Sequence, residues 1–212
     1  MGLFYQHNIN DATRLGIWRI EEPEQFFLEK VPRNPAVTHP YKHLQHLAGR
    51  YLLPLMAPDF PLEQIRIADT RKPFLTDDQF HFSISHCGFY AAALISETNR
   101  VGVDIELVTP RIALIAPKFL HATEQGFLNE WVQLPQIHLQ LLTILWSSKE
   151  AIFKWYGNGG VDFSEDIVLQ ETPVLRNNEW MKLRFRFNKG EGYILDVYAK
   201  LSDGLVLAYV VS

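Results

Sequence analysis

Residues 101–106 read Val-Gly-Val-Asp-Ile-Glu, and the alternation of apolar residues with Gly102, Asp104 and Glu106 marks a strand with one buried face. Side chains two apart on a strand share a face, so Asp104 and Glu106 point the same way. Two like charges side by side repel, so positive compensation is required; a hard divalent cation held by oxygen ligands is the economical candidate. The segment Trp146-Ser147-Ser148-Lys149-Glu150-Ala151-Ile152-Phe153-Lys154 reads as helix and brings a third carboxylate, Glu150. A fold is therefore expected in which this strand and this helix, far apart in sequence, share one site for a cation and a phosphate.

The rest of the chain is read around that requirement. Its 212 residues, 47% of them apolar, suffice to bury a proper core in one large domain or two small ones. A net charge of -4 argues against a general nucleic-acid binder, so any polyanion site has to be local. The single cysteine, Cys87, excludes an internal disulfide framework and every multi-cysteine zinc pattern. No leader-like N-terminus and no apolar run of membrane-spanning length is visible, which leads to the expectation of a cytoplasmic protein.

In chain order, residues 14–20 read as a strand and Glu22–Glu29 as a helix, followed by a linker with Pro32 and Pro35. His39–Met56 reads as an amphipathic helix with Pro40 in its first turn and a stripe of Leu44, Leu47, Ala48, Tyr51 and Leu55. His43, His46 and Arg50 share one flank, which spacing alone reads as a solvated polar face; a phosphate contact from Arg50 is the sharper alternative. Phe80–Ser85, Tyr90–Ser96 and Val101–Glu106 follow as three strands of an antiparallel meander, with the carboxylate strand last. The loop Thr70-Arg71-Lys72-Pro73 is basic, and Ser83–Gly88 is expected as a turn offering hydroxyls, an imidazole and free backbone amides to an anion.

Thr109-Pro110 divides the chain, giving halves of 1–108 and 109–212. A helix from Phe119–Glu124 to about Val132 is expected to be capped by Thr123, with Glu124 stabilised in its first turn. The long helix Gln136–Tyr156 stops at Gly157-Asn158-Gly159-Gly160, and Met181–Asn188, Tyr193–Leu201 and Leu205–Val211 form a second meander. Helices then strands, twice over, predict an α+β fold of two similar halves with a ligand at the seam. On the long helix Lys149 falls amid the stripe Leu142, Leu145, Trp146, Phe153 and Tyr156; it either snorkels outwards or meets a buried anion. The ordinary explanation for Glu150 and Lys154 is an i,i+4 ion pair.

Five motifs in order alter that balance: Arg71-Lys72-Pro73, Phe82-Ser83-Ile84-Ser85-His86, Val101–Glu106, Lys118–Glu124 and Trp146–Glu150 with Lys154. Together they resemble the 4′-phosphopantetheinyl transferases of the larger pseudo-dimeric type, which activate nonribosomal peptide synthetases and other carrier-protein systems. That family moves the phosphopantetheine arm of coenzyme A to a serine of an apo carrier protein and releases adenosine 3′,5′-bisphosphate. The resemblance implies that Asp104, Glu106 and Glu150 hold Mg²⁺ and that Arg50, Lys72, Ser85, His86 and Lys154 contact coenzyme A. It further implies that Glu150 or Glu124 takes the serine proton, that an acyl or peptidyl carrier protein is the partner, and that the protein is a monomer. Arg71 stands where a glycine usually precedes Lys-Pro, and Cys87 where a serine often follows the histidine. Competing readings are another magnesium-dependent phosphoester enzyme and a non-enzymatic adaptor that binds coenzyme A or a carrier protein.

Overall fold

The computed structural model of the chain describes residues 2–33, 37 and 39–212; Pro35 of the expected linker lies outside them. The strands are β1 (Leu3–Asn10), β2 (Thr13–Arg19), β3 (Arg66–Ile67), β4 (Pro73–Phe74), β5 (His81–Cys87), β6 (Tyr90–Ser96), β7 (Val101–Leu107), β8 (Ile167–Leu169), β9 (Trp180–Phe187), β10 (Tyr193–Ser202) and β11 (Leu205–Val211). The α-helices are α1 (Glu24–Leu28), α2 (Pro40–Met56), α3 (Ile112–Ile115), α4 (Ala122–Leu128) and α5 (Pro135–Tyr156). No helix among the described residues is long and apolar enough to cross a membrane.

Two antiparallel sheets form the middle of the molecule, ordered β1-β2-β6-β5 and β7-β11-β10-β9-β8. Alternation along the strands builds three apolar layers. Trp18, Ala91, Ala93 and Ile95 face α1 and α2, and Val206, Ala208 and Val210 pack in the cluster that contains α5. The remaining faces meet each other through Leu15, Ile17, Ala92, Leu94, Val101, Val103, Ile105, Leu205 and Leu207. The result is helix, sheet, sheet, helix, an α+β arrangement. At roughly 25 cal/mol per Å² of apolar surface, burial of this shared layer holds the two sheets against each other.

The first sheet differs from the expected three-stranded meander at both ends. β1 adds an edge strand whose alternate residues are half-buried and exposed, a pattern too polar to stand out as apolar periodicity. β7 leaves the first sheet and pairs with β11, with Val103 opposite Tyr209 and Ile105 opposite Leu207. The reason lies in its faces: Val101, Val103 and Ile105 fill the layer between the sheets, while Gly102 faces α5. A Cβ at Gly102 would overlap the carbonyl oxygen of Ala151 and lie 2.7 Å from the Trp155 nitrogen. The absent side chain lets the carboxylate strand and the long helix touch. Gly102→Ala is accordingly expected to cost about 1–3 kcal/mol or more, since the clash is with backbone that cannot rotate away. Chemical denaturation measures it, and a loss below 0.5 kcal/mol, about the size of an ordinary surface change, would contradict this packing.

Candidate active site

Because Gly102, Asp104 and Glu106 share a face of β7, the contact of Gly102 with α5 brings both carboxylates beside Glu150 and Lys154, near one end of the helix. Lys154 Nζ donates to Asp104 Oδ1 at 2.6 Å and to Ser85 Oγ at 2.8 Å, and Ser85 Oγ donates to the same Asp104 oxygen at 2.8 Å. The expected Glu150–Lys154 pair within the helix is replaced by this link across elements. Asp104 is buried, and its second oxygen, Oδ2, has no hydrogen-bond partner among the described residues. An orphaned carboxylate oxygen in such a position is costly, by about 1–3 kcal/mol or more.

The other two carboxylates feel the same excess of negative charge. Burial, then the Asp104 carboxylate, push Glu106 upwards, while Cys87, Trp146 and Lys154 beside it oppose the shift. Burial and then Asp104 raise Glu150 to about 7, with Lys154 pulling the other way. Three crowded carboxylates with only oxygen donors, one oxygen unpartnered, suit a hard divalent cation. In the present arrangement, however, no three His, Cys, Asp or Glu side chains among the described residues are grouped closely enough to hold a metal. A cation bound through one or two of these carboxylates, with water completing its shell, would compete with Lys154 for Asp104.

A basic cluster adjoins the carboxylates. Burial, then Arg50, His43 and His86, depress His46 to about 4, so four basic side chains lie within electrostatic reach of one another. Arg50 is itself lowered to about 10 by burial, and His86 is lowered by burial and by Lys154. The solvated polar face expected on α2 is corrected here: His43 is 3% exposed and its Nδ1 lies 3.3 Å from Glu24 Oε1, so the flank is turned inwards. The Ser83–Cys87 stretch is likewise strand and not turn, with His86 opposite Ala91 and Cys87 opposite Tyr90. Ser85 and His86 are presented from an edge strand, and the turn is confined to Gly88 and Phe89.

Lys72 reaches the site from the basic loop. Its ammonium donates to the Trp155 carbonyl at 3.2 Å, while Thr70 Oγ1 donates to the Gly157 carbonyl at 2.9 Å. Gly157 ends α5 in the left-handed region, at φ 75°, and Lys72 neutralises part of the negative end of the helix. Burial, then Arg100, lower Lys72 to about 8. A cavity of about 210 Å³ joins Thr70, Arg71, Lys72, Ser83, Phe153 and Lys154, so both lysines open onto one space. Arg71 has φ 67°, the left-handed conformation that glycine adopts freely, which explains why glycine is usual before Lys-Pro.

Glu124 is built into a different environment. The cap of α4 is His121 and not the expected Thr123, and Glu124 completes a capping box by accepting from the His121 amide at 2.9 Å. Its other oxygen accepts from the Leu169 amide at 2.8 Å, and Lys149 Nζ donates to Glu124 at 2.7 Å. Lys149 is fully buried and also donates to the carbonyls of Phe119 and Phe163. The lysine amid the apolar stripe thus meets a buried anion, as one of its two readings had it. Both oxygens of Glu124 are occupied, and the residue is 1% exposed.

The structure thus brings Ser85, Asp104, Glu106, Glu150 and Lys154 together, joins Lys72 to them through a cavity, and sets Arg50 and His86 alongside. It does not bring Glu124 to them. The contacts of Cys87 and Trp146 with Glu106 were not legible in the sequence, since Cys87 reads as a small packed residue and Trp146 as part of an apolar stripe.

Comparison with known proteins adds an independent line. A family model described as the 4'-phosphopantetheinyl transferase superfamily matches residues 100–209. The chain is 31% identical over 134 residues to 4'-phosphopantetheinyl transferase AcpT of Escherichia coli O157:H7, covering 61% of this chain and 63% of that protein. It is 33% identical over 115 residues to 4'-phosphopantetheinyl transferase gsp of Aneurinibacillus migulanus, covering 53% and 46%. Against enterobactin synthase component D of Salmonella typhi it is 33% identical over 118 residues, covering 54% and 48%. The chain thus spans between about half and three-fifths of the length of these relatives.

Proposed function

Since the chain belongs to the 4'-phosphopantetheinyl transferase superfamily, we propose that it transfers the 4'-phosphopantetheine arm of coenzyme A to a serine hydroxyl of an apo acyl or peptidyl carrier protein. The reaction is Mg²⁺-dependent and releases adenosine 3',5'-bisphosphate. The observation that carries this reading is the meeting of Asp104, Glu106 and Glu150 with Lys154 and Ser85 beside a lysine-lined cavity, with one buried Asp104 oxygen unpartnered. The superfamily match covers the three carboxylates and Lys154; Arg50, Lys72, Ser85 and His86 lie outside it and support the reading by position alone.

Asp104, Glu106 and Glu150 are the residues that would hold Mg²⁺, and the ion would supply positive charge to offset that of the pyrophosphate oxygens. Lys154 then offers its ammonium to a phosphate oxygen, and Ser85 and His86 line the approach from β5. The carrier serine oxygen forms the new bond to phosphorus as the bond to adenosine 3',5'-bisphosphate breaks, and its proton passes to a carboxylate. Glu150 faces the cluster and Glu124 is enclosed with Lys149, so Glu150 is the base in this account. The two halves supply β5 and α5 from one chain, consistent with a monomer, and the proposed setting is the cytoplasm.

Lys72 gives the reading a direct test in coenzyme A binding. Its ammonium sits near 8 in the free protein, and a bound phosphate raises it by favouring the charged form. Binding near pH 8 is therefore expected to take up protons, and affinity to fall as the pH rises further and the free lysine loses its charge. Calorimetry of coenzyme A in two buffers of different ionisation enthalpy measures both. Absence of coenzyme A binding would contradict the function; binding without proton uptake in wild type would remove Lys72 from the contact set.

A further inference from the structure

A second cavity meets the first at Lys72 and opens between the two halves of the molecule. Its volume is about 370 Å³, within the roughly 300–1,000 Å³ of small-molecule sites. Lys72 and Arg100 supply two positive charges to its wall and Asp78 the only carboxylate. Neither cation forms an ion pair within 4 Å among the described residues, and the Arg100 guanidinium makes no hydrogen bond there. Their mutual repulsion is part of what depresses Lys72. Lys72 is offset only in part, by the Trp155 carbonyl at the helix end, so the pair leaves positive charge in the cleft that an anion would compensate, and a guanidinium with a free fork suits phosphate or carboxylate oxygens. The same wall carries the rings of Tyr156 and Phe74, the latter 38% exposed, and aromatic faces of this kind accept a flat ring.

We propose that this interlobe cleft is a second ligand site, which binds a small organic anion bearing a flat ring. Its phosphate or carboxylate lies between Lys72 and Arg100, and its ring against Tyr156 and Phe74. The cleft shares Lys72, Pro73, Phe82 and Gly157 with the coenzyme A cavity, but Arg100, Tyr156 and Phe74 line the cleft alone and Lys154 the cavity alone. The part of the inference that rests on Arg100 and the two rings therefore does not depend on the transferase reading.

The experiment is calorimetric titration of the full chain with phenyl phosphate, benzoate and inorganic phosphate. Phenyl phosphate or benzoate, according to the anion preferred, is expected to bind at least tenfold more tightly than inorganic phosphate. Arg100→Glu is expected to weaken that binding at least tenfold, whereas Lys154→Ala, which alters only the neighbouring cavity, leaves it within twofold. Arg100 is exposed, so the fold is expected to survive the change; Arg100→Gln provides a second variant. Three results would overturn the proposal: no saturable binding of either ring-bearing probe, binding indifferent to both Arg100 variants, or binding lost in Lys154→Ala. Loss of coenzyme A binding with retention of the Arg100-dependent site would count against the transferase reading alone.

Discussion

Lys149→Met is expected to lower the unfolding free energy by about 3–5 kcal/mol, the cost of removing one partner from a buried ion pair. Lys149 is wholly inside, and its ammonium joins three segments: the Phe119 carbonyl before α4, the Phe163 carbonyl after α5 and the Glu124 carboxylate. Burial lowers the lysine and Glu124 opposes that shift; three acceptors at 2.6–2.9 Å favour the charged form. Removing the ammonium leaves a carboxylate with 1% exposure and no counter-charge. Adding Glu124→Gln removes that charge while keeping an oxygen for the Leu169 amide, and is expected to recover at least half of the loss. Denaturant unfolding of the two variants measures this. A loss below 1 kcal/mol in the single variant, or no recovery in the double, would mean that the pair does not hold these segments.

Glu150→Gln is expected to act in the opposite sense on stability and far more strongly on activity. Transfer to a carrier protein should fall about 10²–10⁴-fold, the usual contribution of a positioned acid or base. Stability above pH 7 should be retained or increased, because the variant removes a desolvated charge repelled by Asp104 and Glu106. The sign follows from linkage. With its folded value raised from 4.5 to about 7, Glu150 binds more protons folded than unfolded across that interval. Its stabilising contribution is thus present in full below 4.5 and lost as the pH rises through about 7. In Glu150→Gln that slope disappears, so the melting temperatures of variant and wild type should converge towards pH 4.5 and part towards pH 7. Residues that cost stability in order to serve chemistry show this signature, and a variant that is both inactive and markedly destabilised at pH 7 would assign Glu150 a structural role instead.

The difference between these residues also shows how far the sequence could be read. The alternation in Val101–Glu106 and the heptad-like stripe of Leu142–Tyr156 are local signals, and both elements are where periodicity put them. Strand partners are not local. Three consecutive strands joined by short turns favour a meander, but Val101, Val103 and Ile105 are wanted between the sheets, and that tertiary demand hands β7 to β11. The motifs named the site residues as a set without their pairings: Lys154 bonds Asp104 and not its helical neighbour Glu150. Glu124 lay in a motif among the other site candidates, yet the capping box at His121 and the buried Lys149 enclose it. Lys149 itself carried a clue, since a lysine within an apolar stripe either snorkels or meets an anion. Nothing comparable marked Cys87 and Trp146 as neighbours of the Glu106 carboxylate, because packed cysteines and tryptophans look alike in sequence whether or not a carboxylate lies beside them.

Intact-mass analysis of an apo acyl or peptidyl carrier protein incubated with coenzyme A, Mg²⁺ and this protein reads the transfer reaction itself. The carrier is expected to gain one phosphopantetheine arm, in a reaction that requires Mg²⁺ and the carrier serine and that fails with Glu150→Gln. An unchanged mass on several unrelated apo carriers, with coenzyme A still bound, would contradict it and leave a protein that holds coenzyme A without transferring its arm.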